Sequence, residues 1–308
     1  MSTRNLYAVA ALALAGTLSA QEAQLTGLAS GFVFDEQAKA VREIAGVPGA
    51  AYLSRVFAAG DEGSVSPDGQ LALVHDGDSL TLIRLGGDAA TRLGASSGKL
   101  TKIAWSSGSD AVAVSAEGRV RLWIGLGSQP EEVNLAQVSG EVSALAVDSA
   151  RRAVAVAIEG AVHLATSDGA KLVAEAGDPE GLAIAGNTLY IADRARREVV
   201  AVRNFATAPE AALLANEAFG VREPVALAVD GGTLWVADAS GKLLSLDLAN
   251  GAVTRQIDLD FEPTRLEALG RNLYRMDRRT SAQVPVQILQ LGSEPAVYFV
   301  PAEASLKD

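Results

Sequence analysis

The residues best suited to chemistry in this sequence are carboxylates and two histidines. Asp68, His75, Asp76 and Asp78 fall within eleven positions of the stretch SVSPDGQLALVHDGDS. Imidazole and carboxylate groups at short range could bind a metal or take part in acid–base catalysis. The second histidine, His163, lies far along the chain in AVHLAT. A paired-histidine metal site or a Ser–His–Asp triad is therefore not predicted, because a lone strand histidine is usually packed or solvated and catalysis needs a positioned partner.

An internal repeat of about forty residues decides which of these side chains lie together. Residues 178–192 (DPEGLAIAGNTLYIA), 223–237 (EPVALAVDGGTLWVA) and 262–276 (EPTRLEALGRNLYRM) align without a gap. Each unit reads as an apolar first strand, a turn, a second strand, a polar turn, an alternating third strand and a weaker fourth strand. In this register Asp68 lies in the first turn and Asp76 in the second, on opposite faces. The spacing therefore predicts that the apparent cluster is not one site.

Four strands per unit predict an all-β fold, a β-propeller of four-stranded antiparallel blades. We predict seven blades, with six or eight as alternatives because the first unit is poorly marked. In that unit GFVFDEQAKAVREIAG reads as the second and third strands, and the first strand is either Gln24–Leu28 or missing. No linker interrupts the chain, which indicates a single domain over residues 21–308 after a signal peptide at residues 1–20. The predicted repeat units are approximately 24–60, 61–98, 99–140, 141–177, 178–222, 223–261 and 262–303.

A first set of carboxylates stands just before the first strand of units four to seven. In a propeller the first strands line the central channel, so these side chains are expected to ring its mouth. Four carboxylates around one channel repel one another by roughly 1 kcal/mol per close pair in water. A hard cation, a basic ligand or protonation relieves such repulsion, which predicts a site for Ca²⁺ or another divalent cation. The alternative is structural, since an acid–Pro pair presets an extended strand start. The predicted ligands are Glu141, Asp178, Glu223 and Glu262.

A second set of acidic residues, one per unit, follows the second strand and should emerge on the same face. The preferred interpretation is structural, because Asp accepts backbone N–H bonds in tight turns. The basic turn RARR at residues 194–197 lies on that face too, either as a partner-docking patch or as a solvated loop. The predicted partner-binding residues are Asp193, Arg194, Arg196, Arg197 and Asp238. The whole second set is Asp35, Asp76, Glu117, Glu159, Asp193, Asp238 and Asp277.

Composition limits the location and the partners of the chain. The net charge of −11 argues against a nucleic-acid partner, which needs a basic face, and favours a soluble monomer. The apolar run from Leu6 to Leu18 follows Arg4 and precedes small residues, which predicts cleavage after Ser19 or Ala20 and export to the periplasm or medium. A buried N-terminal helix is the alternative. The run is too short for a permanent membrane anchor, and without cysteine no disulfide can stabilise the exported chain.

Several segments resemble known propeller families. SPDGQLALV resembles the WD40-like repeats of TolB-type propellers, and LYIADRARREVVAV (189–202) and LWVADASGKLLSLDL (234–248) resemble the NHL and YncE-type repeats of exported bacterial propellers. The resemblance implies binding or scaffolding, with lyases, lactonases and cofactor enzymes as a minority. Propeller lactonases hold a central Ca²⁺ with Glu, Asn and Asp, and here no convergent Asn is predicted. We therefore predict an exported binding or protein-interaction module that uses its acidic loop face for a protein or small ligand. The alternative is a metal-dependent hydrolase, lactonase or lyase at the channel mouth.

Overall fold

The computed structural model describes residues 29–47, 49–87, 89–270, 272–277, 281, 283–292 and 294–301. These residues form seven antiparallel sheets, which we number as blades one to seven along the chain. Blades one to three contain β1 (Ala29–Asp35), β2 (Ala40–Ala45), β3 (Tyr52–Ala59); β4 (Glu62–Val65), β5 (Leu71–Asp76), β6 (Ser79–Arg84), β7 (Ala90–Ala95); and β8 (Leu100–Trp105), β9 (Ala111–Ala116), β10 (Arg119–Ile124), β11 (Glu131–Val133). Blades four and five contain β12 (Val142–Asp148), β13 (Ala153–Ile158), β14 (Ala161–Ala165), β15 (Ala170–Glu175); and β16 (Pro179–Ala185), β17 (Thr188–Asp193), β18 (Glu198–Arg203), β19 (Glu210–Ala215). Blades six and seven contain β20 (Pro224–Asp230), β21 (Thr233–Asp238), β22 (Lys242–Asp247), β23 (Val253–Asp258); and β24 (Glu267–Gly270), β25 (Leu273–Arg275), β26 (Val286–Gln290), β27 (Ala296–Val300).

The pattern of apolar residues explains the order of the strands within a blade. Second strands such as β9 (AVAVSA) and β13 (AVAVAI) are buried along their whole length, because both of their faces pack against neighbouring blades. Third strands such as β6 alternate buried and half-buried residues, and outer strands such as β19 are mostly exposed. Small Ala and Val side chains on the second strands let adjacent sheets approach closely, so the core lies between the blades.

Each sheet is built from consecutive strands, and the prediction of a seven-bladed propeller is confirmed. Leu71, Ala111, Ala153 and Leu273 begin second strands as predicted, while β17 and β21 begin one residue earlier than expected. The described part of the chain contains one 3-10 helix, Glu217–Phe219, between blades five and six. No helix in that part is long and apolar enough to cross a membrane.

Blade one differs from the other six because it has three strands within the described residues. The segment predicted to form its second and third strands does form β1 and β2. The candidate first strand, Gln24–Leu28, lies outside the described residues. A side-chain hydrogen bond joins the inner strands of blades two and seven at this position, where Ser64 Oγ lies 2.5 Å from Glu267 Oε1, and β1 contacts both strands. Inner strands of six blades therefore surround the channel within the described residues, and blade one contributes β1 and its following turn.

The loops between blades and the turns between second and third strands emerge on one face, which we call the top face. Asp193, at the end of β17, connects both kinds of loop. Its carboxylate accepts hydrogen bonds from the backbone of Gly177 and Asp178 in the preceding inter-blade loop and from Arg196 N in its own turn. The inner strands run from the top face to the bottom face, so the start of each inner strand marks the top of the channel.

Candidate functional site

The central channel is a cavity of about 1680 Å³ lined by the inner strands and by Phe34, Glu36 and Lys39 of blade one. Its polarity changes along the axis. Among the described lining residues, every charged side chain except Asp230 belongs to a top-face loop or to the first half of an inner strand. The bottom half of the cavity is lined mainly by Ala, Val, Ile and Leu, together with Trp105 and Tyr274. The acidic lining residues are Glu36, Asp61, Glu62, Glu141, Glu180, Asp230 and Glu267, and the basic ones are Lys39, Lys99, Lys102 and Arg265.

A buried histidine and a carboxylate form one part of the top of the cavity. His75 is 3 % exposed, and its Nδ1 lies 2.8 Å from Glu62 Oε2 while its Nε2 lies 2.9 Å from the Ser96 carbonyl oxygen. Burial opposes the charged form of His75, but the hydrogen bonds to Glu62 and Ser96 outweigh it, so its pKa is raised above the usual 6.5. The strand pairing explains the contact, because Glu62 and His75 are direct cross-strand partners in β4 and β5.

An exposed ion pair lies beside this histidine at the same rim. Lys39 Nζ, in the turn of blade one, is 2.7 Å from Asp61 Oδ1 in the loop that leads into β4. Asp61 also accepts a hydrogen bond from Gly77 N in the next turn. The lysine therefore holds the pKa of the Asp61 carboxyl below its usual value, with the Gly77 hydrogen bond acting in the same direction.

Where blade seven meets blades one and two, charged side chains form a continuous network. Arg275 is fully buried and donates to the Phe34 carbonyl and to Glu36 Oε2, the latter at 2.6 Å. Arg265 lies between two carboxylates, 3.3 Å from Glu36 Oε1 and 3.0 Å from Glu267 Oε2. Asp277 joins the network as well, with its Oδ1 3.6 Å from Arg275 Nε. The network therefore consists of two arginines and three carboxylates.

The network continues into the channel through a serine and a tryptophan. Ser64 Oγ lies between Glu267 Oε1, at 2.5 Å, and Trp105 Nε1, which donates to it at 3.0 Å. Blades two, three and seven therefore contribute one side chain each to a chain of hydrogen bonds. Glu36, Ser64, Trp105, Arg265 and Glu267, all of which line the cavity, are called the closure site below.

The four predicted cation ligands are not equivalent in the structure. Of the four, Glu141 alone is among the described residues that line the cavity. The other three, Asp178, Glu223 and Glu262, lie at the top face outside that lining. Glu223 Oε2 forms an ion pair with Arg194 at 2.7 Å, which offsets part of the repulsion expected between the four carboxylates. Among the described residues no group of three or more His, Asp and Glu side chains is arranged to hold a metal ion. The divalent-cation site stays a prediction.

The second set of acidic residues divides into two structural classes. Asp35, Asp193, Asp238 and Asp277 are buried, whereas Asp76, Glu117 and Glu159 are exposed. The length of the turn accounts for the difference. Glu117 itself occupies a two-residue turn with Gly118, both with positive φ, so its side chain points to solvent. The turn after β17 has four residues and folds back over the Asp193 carboxylate.

The predicted partner-binding residues lie together at the top of blades five and six, but two of them are not accessible. Asp193 and Asp238 are 1 % and 0 % exposed and accept backbone hydrogen bonds, so they support the loops and offer no surface to a partner. Arg194, Arg196 and Arg197 are exposed, and each lies within 4 Å of a carboxylate. An aromatic companion that the sequence did not reveal, Phe219, is 50 % exposed on the short helix whose Glu217 pairs with Arg197. Docking at this patch stays a prediction.

Sequence reasoning missed the closure site, although the repeat contained a signal for it. In the alignment of the last three repeats, Arg265 falls where the earlier copies have Gly181 and Ala226, and Glu267 falls where they have Ala183 and Ala228. Arg275 likewise replaces the apolar Ile191 and Val236. Charged residues at positions that are apolar or glycine in blades five and six mark blade seven as a departure from the pattern of its two predecessors.

Comparisons with known proteins agree on the fold. No family model and no curated protein matches the chain. A chain in the crystal structure of a mitotic checkpoint complex matches 98 % of this chain and 90 % of its own length at 13 % identity, with a TM-score of 0.56. The dihydro-heme d1 dehydrogenase NirN in complex with DHE matches 86 % of this chain and 61 % of its own length at 17 % identity, with a TM-score of 0.55. The computationally designed Ika8 protein matches 86 % of this chain and 79 % of its own length at 13 % identity, with a TM-score of 0.54. At such identities the likeness is one of fold alone.

Proposed function

We propose that this protein is an exported binding module whose ligand site is the closure site at the central cavity. The observation that carries the proposal is the departure of blade seven from the repeat, which brings Arg265 and Glu267 to the cavity next to Ser64 and Trp105. Small-molecule sites usually hold a few convergent polar groups in a cavity, and the closure site has this arrangement. Blades four to six carry only Ala or Gly at the positions aligned with Arg265 and Glu267.

The geometry favours binding because the polar groups of the closure site hold one another in place. Glu267 is fixed by Ser64 on one oxygen and by Arg265 on the other, so its orientation does not depend on the ligand. Such preorganisation lowers the entropic cost of binding, because these side chains are already ordered before the ligand arrives. The alternative of a metal-dependent hydrolase, lactonase or lyase has no specific observation in its favour among the described residues.

The proposal includes export and a relationship to TolB-type or NHL and YncE-type bacterial propellers. Both rest on the sequence: the short apolar run Leu6–Leu18 with small residues after it, and the repeats that begin at Ser66 and Leu189. Expression of the full chain in a bacterium, followed by fractionation, tests export. The mature protein should start at Ala20 or Gln21 in the exported fraction; an intact N-terminus in the cytoplasmic fraction would contradict it.

Ligand-observed NMR with a small-fragment library tests the binding site itself. Fragments whose NMR signals report binding to the wild-type protein should no longer show binding to the Glu267→Gln and Trp105→Phe variants. Glu210→Gln is the matched control, because Glu210 is an exposed acid on the outer strand β19. Circular dichroism establishes that each variant is folded. If no fragment distinguishes the closure-site variants from the control, the proposed site is wrong.

A further inference from the structure

The closure site lies where the charged and apolar halves of the cavity meet. Trp105 ends β8 in the apolar half, yet its indole N–H reaches Ser64, which in turn contacts the Glu267 carboxylate. A ligand bound there would meet an aromatic side chain and a carboxylate within a few ångströms of each other. This pairing suits a molecule with one apolar part and one charged part.

The charge of the cavity decides the sign of the ligand. Seven carboxylates and four Lys or Arg side chains line it among the described residues, an excess of three acids (7 − 4 = 3), which protonation of His75 reduces to two. The whole chain has the same sign, with a net charge of −11. A channel with low-dielectric walls concentrates this field, so cations are attracted and anions are repelled before any contact forms.

Two carboxylates on the cavity wall strengthen this preference. Glu141 and Glu180, at the tops of blades four and five, line the cavity, and within the described part of the chain the nearest recorded cation, Arg194, acts on Glu180 only through space. Around the closure site, by contrast, Glu36 and Glu267 share Arg265. A cation that enters from the top face therefore passes these two acids before it reaches the indole.

We infer that the cavity binds organic cations, namely amines or quaternary ammonium compounds with an aryl or alkyl group, and this inference rests on the proposed function. The cationic group lies against the Glu267 carboxylate, and the apolar group packs against Trp105 and the apolar lower walls. The Trp105 ring offers the apolar group a large aromatic contact area. Organic anions of the same shape are excluded by the charge of the channel.

Isothermal titration calorimetry with two matched probes tests the inference. The 2-phenylethylammonium ion and phenylacetate carry the same ring but opposite charges. The cation should bind saturably and more weakly as salt rises. Glu267→Gln should weaken its binding by about tenfold, because a charge-assisted hydrogen bond becomes a neutral one of about half the strength. Glu210→Gln on the outer strand should leave its affinity unchanged.

The outcomes separate the inference from the proposed function. Equal or tighter binding of phenylacetate, no saturable binding of either probe, or unchanged affinity in Glu267→Gln overturns the organic-cation inference. In each case neutral or anionic fragments that still lose binding in Trp105→Phe would leave the proposed site standing. If those fragments also bind the closure-site variants normally, the site and its ligand class both fail.

Discussion

Replacement of Asp238 by Asn measures what the buried aspartates of the top face do. Asp238 is fully buried at the end of β21. Its Oδ2 accepts from the backbone N–H groups of Arg222 and Glu223, at 2.7 and 3.0 Å, and its Oδ1 accepts from the N–H and hydroxyl of Ser240, at 3.0 and 2.5 Å. One carboxylate thus holds the inter-blade loop and its own turn together.

The expected cost follows from the donors that lose an acceptor. Asn has the same shape but only one acceptor oxygen, so its amide NH₂ must face two of the four donors. Hydrogen bonds to charged groups are each worth about 1.5–3 kcal/mol, and a buried donor left unpaired carries a similar penalty. Because the chain can shift to save part of this, we expect Asp238→Asn to lower the free energy of unfolding by roughly 2–4 kcal/mol.

Urea denaturation followed by circular dichroism is the assay, with Asp76→Asn as the matched control. Asp76 occupies the corresponding turn of blade two but is exposed, so its replacement should change the free energy of unfolding by less than about 0.5 kcal/mol. Equal effects of the two substitutions would refute the division of this acidic set into buried loop supports and exposed turn residues. So would a stable Asp238→Asn protein.

Three further perturbations follow from the charged groups around the channel. The pKa of His75 is raised above the usual 6.5, so its pairing with Glu62 contributes stability that is fully present below pH 6.5 and is lost as the pH rises through the folded value. Glu62→Gln should therefore flatten the fall of the melting temperature as the pH rises above 6.5, and an unchanged profile contradicts the pairing. Arg275→Met leaves Glu36 without its 2.6 Å partner and should destabilise the fold by about 3–5 kcal/mol in urea titrations, whereas a loss below 1 kcal/mol would show that blade closure does not depend on this arginine. The predicted divalent-cation site should raise the melting temperature in millimolar Ca²⁺, reversibly with chelator and less in Glu141→Gln; a melting temperature indifferent to both contradicts it.

The blades could be predicted from the sequence because their signals are local. Alternating apolar residues, turn residues and the spacing of the copies lie within about forty residues, and they gave the starts of β5, β9, β13 and β25 to the residue. The departure at blade one has another cause. Its unit is poorly marked in the sequence, and the segment proposed as its first strand, Gln24–Leu28, lies outside the described residues.

The candidate site could be predicted only in part, because its contacts join distant segments. Ser64 and Glu267 are 203 positions apart and meet only when blades two and seven close the ring. The second set of acidic residues could be recognised from the repeat, but the sequence did not show which of its members are buried and which are exposed. Asp238 and Asp76 share a turn position, and the length of the turn after each strand determines which carboxylate folds inward.

The location of the ligand site is tested most directly by ¹⁹F NMR of protein labelled with 5-fluorotryptophan. The chain has three tryptophans, of which Trp105 lines the cavity while Trp123 and Trp235 are buried between blades. Assignment by single Trp→Phe variants gives one resonance for each. Fragments that bind should shift the Trp105 resonance and leave the other two in place. Binding that moves Trp123 or Trp235 and spares Trp105 would contradict a ligand site at the closure of the propeller.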